Sequence, residues 1–248
     1  MKKPLLTLVA GASLLTSQQM MAEERPRPSF SGLFSTTFAN GYIPPAGFSI
    51  GGPVHQNYLE LGFNNVLAKG DRVAALTWNS TDLSRHFEAT EHDVGLTYTF
   101  SLAQNLTVSL GGQYWYYPSR RLGSHDWITD CNLTWNGPLT VGVQSRHLWE
   151  HSGVHSGDYA YLFASKSTPL GTVLGADVSL TLEGGTTYSH RFFGDTSQWS
   201  VSRGLATLTA TKGNFSVGMS AGYQWNLDGD IKVKPNTPLV FGSISYSF

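Results

Sequence analysis

The chain of 248 residues contains one cysteine, Cys131, so no disulfide can form within it. Its formal net charge of −1 gives no basic surface and argues against a nucleic-acid partner. Charged residues make up 13% of the chain, against roughly 25% in ordinary soluble domains, whereas 27 glycines, 7 tryptophans, 11 tyrosines and 13 phenylalanines are plentiful.

The amino terminus has the features of a secretory signal peptide. Lys2 and Lys3 precede a short apolar run at residues 5–15, and Ala22 supplies a small residue for cleavage. This run is shorter than the roughly 20 apolar residues that a membrane helix needs. The sequence therefore predicts a signal peptide at residues 1–22 and one β-barrel domain at residues 23–248.

Short segments in which apolar and polar residues alternate follow one another along the rest of the chain. Alternation with period two is typical of β-strands that present different environments to their two faces. The predicted strands lie at about residues 30–38, 55–64, 74–79, 92–100, 106–117, 127–135, 139–146, 159–163, 174–183, 199–211, 215–225 and 238–248.

The connections between these strands alternate between long and short. Tight turns are predicted at residues 69–71, 103–105, 137–138, 168–171 and 212–214, and longer polar segments separate the other strands. Twelve is an even number, so both termini lie at the end with the short turns. These features predict an all-β fold, a 12-stranded antiparallel up-and-down transmembrane β-barrel.

The last strand carries the most specific signal. Val240, Gly242, Ile244, Tyr246 and Phe248 share one face, and serines occupy most of the other. A final Phe after alternating apolar and aromatic residues resembles the closing strand of Gram-negative outer-membrane barrels. That resemblance implies insertion into the bacterial outer membrane by the barrel-assembly machinery, which would recognise the strand ending in Phe248.

Aromatic residues stand at the ends of the predicted outward faces. Such girdles are typical of membrane interfaces, where contact with outer-membrane lipid and lipopolysaccharide is expected. A secreted soluble β-sandwich or a periplasmic barrel does not account for them. The residues concerned are Trp78, Tyr116, Trp127, Trp135, Tyr223 and Trp225.

Three further features resemble the small putative porins of the TorF type. They are the Asp-Tyr-x-Tyr segment from Asp158 to Tyr161, the Trp199 that opens a late strand, and the closing strand from Val240 to Phe248. The resemblance covers most of the chain after the signal peptide. It implies a pore-forming outer-membrane protein of undefined substrate and assigns no functional residue.

The inward faces are mostly Gly, Ser, Thr, Asn and Gln, and a 12-stranded barrel is wide enough to hold a small aqueous passage. We therefore predict a porin-like channel for small hydrophilic solutes or ions, with five inward acids and two inward bases favouring cations weakly. The predicted pore-lining charges are Glu60, Asp93, Asp130, Arg146, Asp177, Glu183 and Arg203.

Two alternatives remain open. The inward charges could pair and plug the barrel, leaving a structural protein. Alternatively, His151, Ser152 and His155 in a long loop bring together the groups of a lipid-modifying hydrolase, because a histidine can activate a serine hydroxyl. Ser152 directly follows His151, however, so the two side chains would point to opposite faces of a strand.

Histidines are concentrated in or beside the long connections, where they raise the question of a metal site. Neither cysteines nor a dense carboxylate cluster completes a coordination shell around them, so no metal and no other cofactor is predicted. These histidines are His125, His147, His151, His155 and His190.

Overall fold

A closed antiparallel barrel contains all twelve strands of the part of the chain that the structure describes. The structure is a computed structural model, and it describes residues 27–41, 52–84, 88–118, 125–149, 156–191, 197–227 and 236–248. Each strand pairs with its neighbours in sequence, and β1 pairs with β12 to close the sheet. Closure leaves no sheet edge with unpaired backbone groups.

The strands are 9 to 17 residues long. In chain order they are β1 (Ser29–Ala39), β2 (Val54–Asn64), β3 (Arg72–Asp82), β4 (Glu88–Ala103), β5 (Leu106–Tyr116), β6 (His125–Asn136), β7 (Thr140–Leu148), β8 (Gly157–Val173), β9 (Ala176–His190), β10 (Ser197–Lys212), β11 (Phe215–Asn226) and β12 (Thr237–Ser247). In the described residues no helix is long and apolar enough to span a membrane.

Short connections lie at one end of the barrel, here called the short-turn end. They join β2 to β3, β4 to β5, β6 to β7, β8 to β9 and β10 to β11. The longer connections lie at the opposite end, called the long-loop end. The start of β1 and the end of β12 are both at the short-turn end. The predicted fold class and strand number are thus confirmed. Connection length alternates as predicted except around β3, where seven residues join β2 to β3 and five residues join β3 to β4.

The exterior of the barrel is apolar. Large hydrophobic side chains are exposed along nearly every strand, and Phe63, Leu96 and Met219 are among the most exposed, at 55%, 63% and 69%. Of the predicted aromatic girdle, Tyr116, Trp127, Trp135, Tyr223 and Trp225 lie on this exterior face. Most buried side chains are instead inside the barrel, where two small clusters contain Tyr159 with Tyr161, and Trp115 with Ile128 and Leu148.

β3 presents the opposite face from the one predicted, and β8 has two aromatic residues inside the barrel. Leu76 and Trp78 on β3 line the interior, and Tyr159 and Tyr161 on β8 are 2% exposed. The prediction that Trp78 stands at the end of an outward face was therefore wrong. Arg72 explains the inward face of β3, because it shares that face with Leu76 and Trp78 and pairs with Glu60 inside the barrel.

The turn between β8 and β9 is also displaced from its predicted position. Residues 168–171 were expected to turn, but β8 continues to Val173 and the chain reverses at Leu174 and Gly175. Pro169 still pairs with Ser179, and the register shifts between Pro169 and Gly171. A bulge at this point accommodates a proline, which has no N–H to donate to the ladder.

The seam between β1 and β12 depends on a close approach at Gly32. Its N–H donates to the carbonyl of Phe248 at 2.8 Å, and the Phe248 N–H donates back to Gly32 at 3.0 Å. The Phe248 ring lies over Gly32, because a Cβ added there would be 2.3 Å from the ring. Phe30 and Tyr246 flank the same ring, at 6.1 Å and 5.9 Å between ring centroids.

Candidate luminal site

A cavity of about 540 Å³ occupies the interior on the side formed by β12 and by β1 to β7. The alternation of each strand brings its inward residues to the cavity wall. Hydroxyls and amides form much of that wall, as predicted, together with charged and aromatic side chains. The charged and aromatic lining residues are Tyr58, Glu60, Arg72, Trp78, Asp93, Trp115, Asp130, Arg146 and Phe241.

The first polar group in the wall joins β2 to β3. The Arg72 guanidinium forms an ion pair with Glu60, and the Tyr58 hydroxyl donates to the same carboxylate. Arg72 also donates through Nε to the Ser31 hydroxyl at 3.4 Å. Because the guanidinium and the tyrosine both bond to Glu60, its negative charge is compensated at the wall.

The second group is centred on Asp130 of β6. Arg146 on β7 approaches it with 2.6 Å between Nε and Oδ1, and the Gln113 amide donates to its other oxygen. Gln113 in turn accepts a hydrogen bond from the Trp115 indole at 2.9 Å. The Arg146 guanidinium also lies 5.4 Å from the Trp115 ring and 5.9 Å from the Tyr159 ring, within the range of cation–π contacts.

The third group lies farther around the barrel, on β8, β9 and β10. Arg203 donates from Nη2 to Glu183 at 3.0 Å and from Nε to the Tyr161 hydroxyl at 3.0 Å. The Tyr161 hydroxyl donates to Glu183 at 2.8 Å, which closes a triangle of contacts. The guanidinium carbon is 4.6 Å from the centre of the Tyr161 ring. None of these three residues contributes to the 540 Å³ cavity.

The two remaining predicted charges occupy different places. Asp93 is buried and lines the cavity, on the half of β4 nearer the long-loop end. Asp177 lies at the short-turn end, where it accepts a hydrogen bond from the exposed Thr172 at 3.0 Å. The structure thus brings Glu60, Asp93, Asp130 and Arg146 to one cavity, while Asp177 is remote from it.

Sequence reasoning missed four residues of these groups. Arg72 precedes the predicted third strand and was not assigned a face. It lies an even number of residues before Trp78, and this spacing could have shown that the two share a face of the strand. Trp78, Tyr159 and Tyr161 were missed because each has apolar neighbours on both faces of its strand. Alternation of hydropathy alone gives no clear phase in such a segment.

Only some of the predicted histidines lie among the described residues. His151, Ser152 and His155, the residues of the hydrolase alternative, lie outside the described residues. His147 forms a pair with Asp158, with 2.6 Å between Nδ1 and Oδ1, and His190 contacts Ser197. Among the residues that the structure describes, no group of three or more His, Cys, Asp or Glu side chains is arranged to hold a metal ion.

Similar barrels are found among solved structures at low sequence identity. An outer membrane channel from Pseudomonas putida F1 has a TM-score of 0.56 and 10% identity, with 91% of this chain and 97% of that chain covered. LpxR from Salmonella typhimurium has a TM-score of 0.53 and 9% identity, covering 86% and 99%. The NanC porin has a TM-score of 0.50 and 11% identity, covering 88% and 98%.

These similarities show the fold. No protein-family model matches the sequence, and neither does any curated protein.

Proposed function

We propose that this protein is an integral barrel of the bacterial outer membrane and that it forms a channel for small hydrophilic solutes or ions. The observation that carries the proposal is the inversion of polarity across the wall. The exterior exposes large apolar side chains along the strands, while the interior holds a polar cavity of about 540 Å³. A monomeric protein in water rarely exposes so continuous an apolar surface.

The placement in the membrane has additional support from the ends of the barrel. Exterior aromatic side chains occur near both ends, with Tyr116 and Trp127 toward the long-loop end and Trp135 toward the short-turn end. Aromatic girdles at both interfaces are a property of transmembrane barrels. Short turns face the periplasm in such barrels, so the long-loop end would face the cell exterior, in contact with lipopolysaccharide.

The channel proposal draws on the character of the cavity wall. Water and small polar solutes need hydrogen-bonding groups along their path, and the wall supplies them through Gln56, Thr97, Ser109 and Asn132. The comparison proteins named as a channel and as a porin have the same fold, which is compatible with this function without establishing it. The pore-lining roles of Glu60, Asp93, Asp130 and Arg146 belong to the proposal.

Single-channel recording tests the proposal. The protein is refolded, its folded state is checked by heat-dependent migration on a gel, and it is added to planar bilayers under a salt gradient. We expect discrete openings with a reversal potential weakly biased toward cations, because carboxylates outnumber arginines in the cavity wall. Absence of conductance from folded, inserted protein would overturn the channel and favour a plugged structural barrel.

We also propose that β12 is the segment recognised during barrel assembly. The strand ends beside Phe248, whose ring packs over Gly32 at the closing seam. The Phe248 side chain is 47% exposed in the closed barrel, so the assembly machinery could contact it at the seam.

A further inference from the structure

A groove on the exterior of the barrel stands out from the rest of the apolar surface. It lies across β4, β5 and β6 toward the long-loop end and has a volume of about 750 Å³. Its exterior walls are almost entirely hydrophobic. The side chains that form them belong to Val94, Leu96, Tyr114, Trp127 and Trp149.

The floor of the groove exists because one residue has no side chain. Gly112 of β5 points outward between Leu96 of β4 and Thr129 of β6, to which it is directly paired. A Cβ built on Gly112 would meet only the Ile128 carbonyl oxygen, at 4.0 Å. Open space therefore extends outward from the sheet surface at this position.

A polar pair continues the same row of residues. Thr129 pairs with His147 of β7, and His147 pairs with Asp158 of β8, so all three lie side by side on the exterior. His147 Nδ1 is 2.6 Å from Asp158 Oδ1. The Trp149 ring packs edge-on against the His147 imidazole, with 4.5 Å between ring centroids. The backbone N–H of Trp149 donates to the Trp127 carbonyl at 3.0 Å.

We propose that this groove is a specific binding site for one phospholipid held among the lipopolysaccharide of the outer leaflet, with an acyl chain in the groove and the glycerol and headgroup region at the His147–Asp158 pair. The proposal rests on the membrane placement given above and is independent of channel activity. An acyl chain fits this groove because the groove walls are apolar. The polar end of the groove lies at the level of the exterior aromatic residues, where a bilayer has its interface. A hydrogen-bonding pair in that position matches the ester and headgroup layer of a bilayer.

The aromatic residues would hold the chain near its polar end. Tyr114 and Trp127 are in edge contact, with 5.0 Å between ring centroids, and the Trp149 ring contacts His147. Indole and phenol rings prefer the boundary between hydrocarbon and water, where one edge is apolar and the other is hydrated. The chain would then run from this aromatic corner over Gly112 toward Leu96.

Photocrosslinking tests the site. Full-length protein is reconstituted in vesicles of phosphatidylethanolamine and phosphatidylglycerol that contain a phosphatidylethanolamine with a diazirine in one acyl chain. Labelled peptides are then mapped by mass spectrometry. We expect segments containing Leu96 and Trp127 to be labelled several-fold more than exterior segments on the far side, such as that around Leu208.

A substitution that fills the groove provides the decisive comparison. Gly112→Leu should reduce the excess labelling to the level of the general lipid contact. Gly184→Leu is the matched control, because Gly184 is also exposed on the exterior and its added Cβ would meet only the Arg203 carbonyl oxygen, at 4.0 Å. His147→Gln should lower the excess labelling as well. This variant provides the test if Gly112→Leu does not fold.

Two results would overturn the lipid site. Even labelling around the barrel would show that the groove has no preference for the lipid. Excess labelling that survives both Gly112→Leu and His147→Gln would show that the preference comes from neither the groove nor the polar pair. Absence of labelling anywhere on folded protein would instead contradict the membrane placement itself, and so separates the two proposals.

Discussion

At the residue scale, the Asp71 carboxylate organises the connection between β2 and β3. It accepts backbone hydrogen bonds from Val66 at 2.6 Å and from Leu67 and Ala68 at 2.9 Å each, and the Tyr98 hydroxyl donates to it at 3.1 Å. Burial alone would raise the pKa of Asp71, but the hydrogen bonds from Leu67, Ala68 and Val66 outweigh burial and lower it below the ordinary value.

This lowered pKa predicts a pH-dependent contribution to stability. A group whose pKa is depressed by folding stabilises the folded state above its unfolded pKa, and the contribution is lost as pH falls through the folded value. Asp71→Ala should lower the free energy of unfolding by about 1–3 kcal/mol at neutral pH, because the N–H donors lose their acceptor. The difference from wild type should shrink in acid.

Urea unfolding in phospholipid vesicles, followed by tryptophan fluorescence over a pH series, measures this effect. Asp177→Ala is the control, since Asp177 also lies near the short-turn end but accepts one exposed hydrogen bond from Thr172. A difference between Asp71→Ala and wild type that does not change with pH would contradict the assigned role of the carboxylate.

At the scale of a secondary-structure element, the turn of the β8–β9 hairpin has a leucine in a backbone conformation that leucine disfavours. Leu174 and Gly175 both have positive φ, 53° and 78° respectively. Two successive residues of this kind form the two-residue turn that suits the twist of a hairpin and favours Asn-Gly. Leu174 is 94% exposed, so its side chain contributes no packing that would compensate for the strained backbone.

Leu174→Asn should therefore stabilise the protein by about 1 kcal/mol, because asparagine tolerates the left-handed region better than leucine. The measurement is the midpoint of urea unfolding in vesicles. Gly175→Ala, at the adjacent turn position, should shift the midpoint in the opposite direction. A lower midpoint for Leu174→Asn would mean that the exposed leucine is held by the membrane interface and that the backbone argument is insufficient.

At the scale of the whole molecule, inward charges are neutralised by partners on neighbouring strands. In the described interior, Glu60 pairs with Arg72, Asp130 with Arg146, and Glu183 with Arg203. The electric fields of the two charges in such a pair nearly cancel at a distance. The lumen would therefore discriminate only weakly between cations and anions. The sequence count of five inward acids and two inward bases, which omits Arg72, therefore overstates the preference for cations.

Removal of one residue of an ion pair should increase the effect of the other residue's charge on ion selectivity. Arg146→Gln leaves the negative charge of the buried Asp130 without its ion-pair partner. A single charge attracts a cation about 4 Å away in water by about 1 kcal/mol, so the preference for cations over anions should rise severalfold. The double variant Asp130→Asn with Arg146→Gln should return it to the wild-type value. Reversal potentials in planar bilayers measure both.

Lys212→Gln is the control for that measurement, because it removes one positive charge from an exposed position at the short-turn end. It should leave the reversal potential close to that of wild type. An equal shift in Lys212→Gln and Arg146→Gln would show that the overall charge of the protein, and not the pair in the cavity wall, sets selectivity.

The sequence by itself determined the number of strands, their antiparallel order and, except around β3, the alternation of connection lengths. These properties follow from local patterns: period-two alternation within a strand and turn residues between strands. The same patterns located the exterior of strands such as β4 and β11, where apolar residues occupy one face only. Val94 and Leu96, and Val217 and Met219, are exposed as that pattern requires.

Only the tertiary structure decided the phase of β3 and β8 and the partners of the inward charges. Alternation has two possible phases, and Trp78 or Tyr161 suits a lipid interface as well as a polar lumen. The choice depends on residues of nearby strands, such as Glu60 for Arg72 and Arg203 for Tyr161. Those partners are 12 and 42 positions away along the chain, and the pairing of β2 with β3 and of β9 with β8 and β10 brings them together.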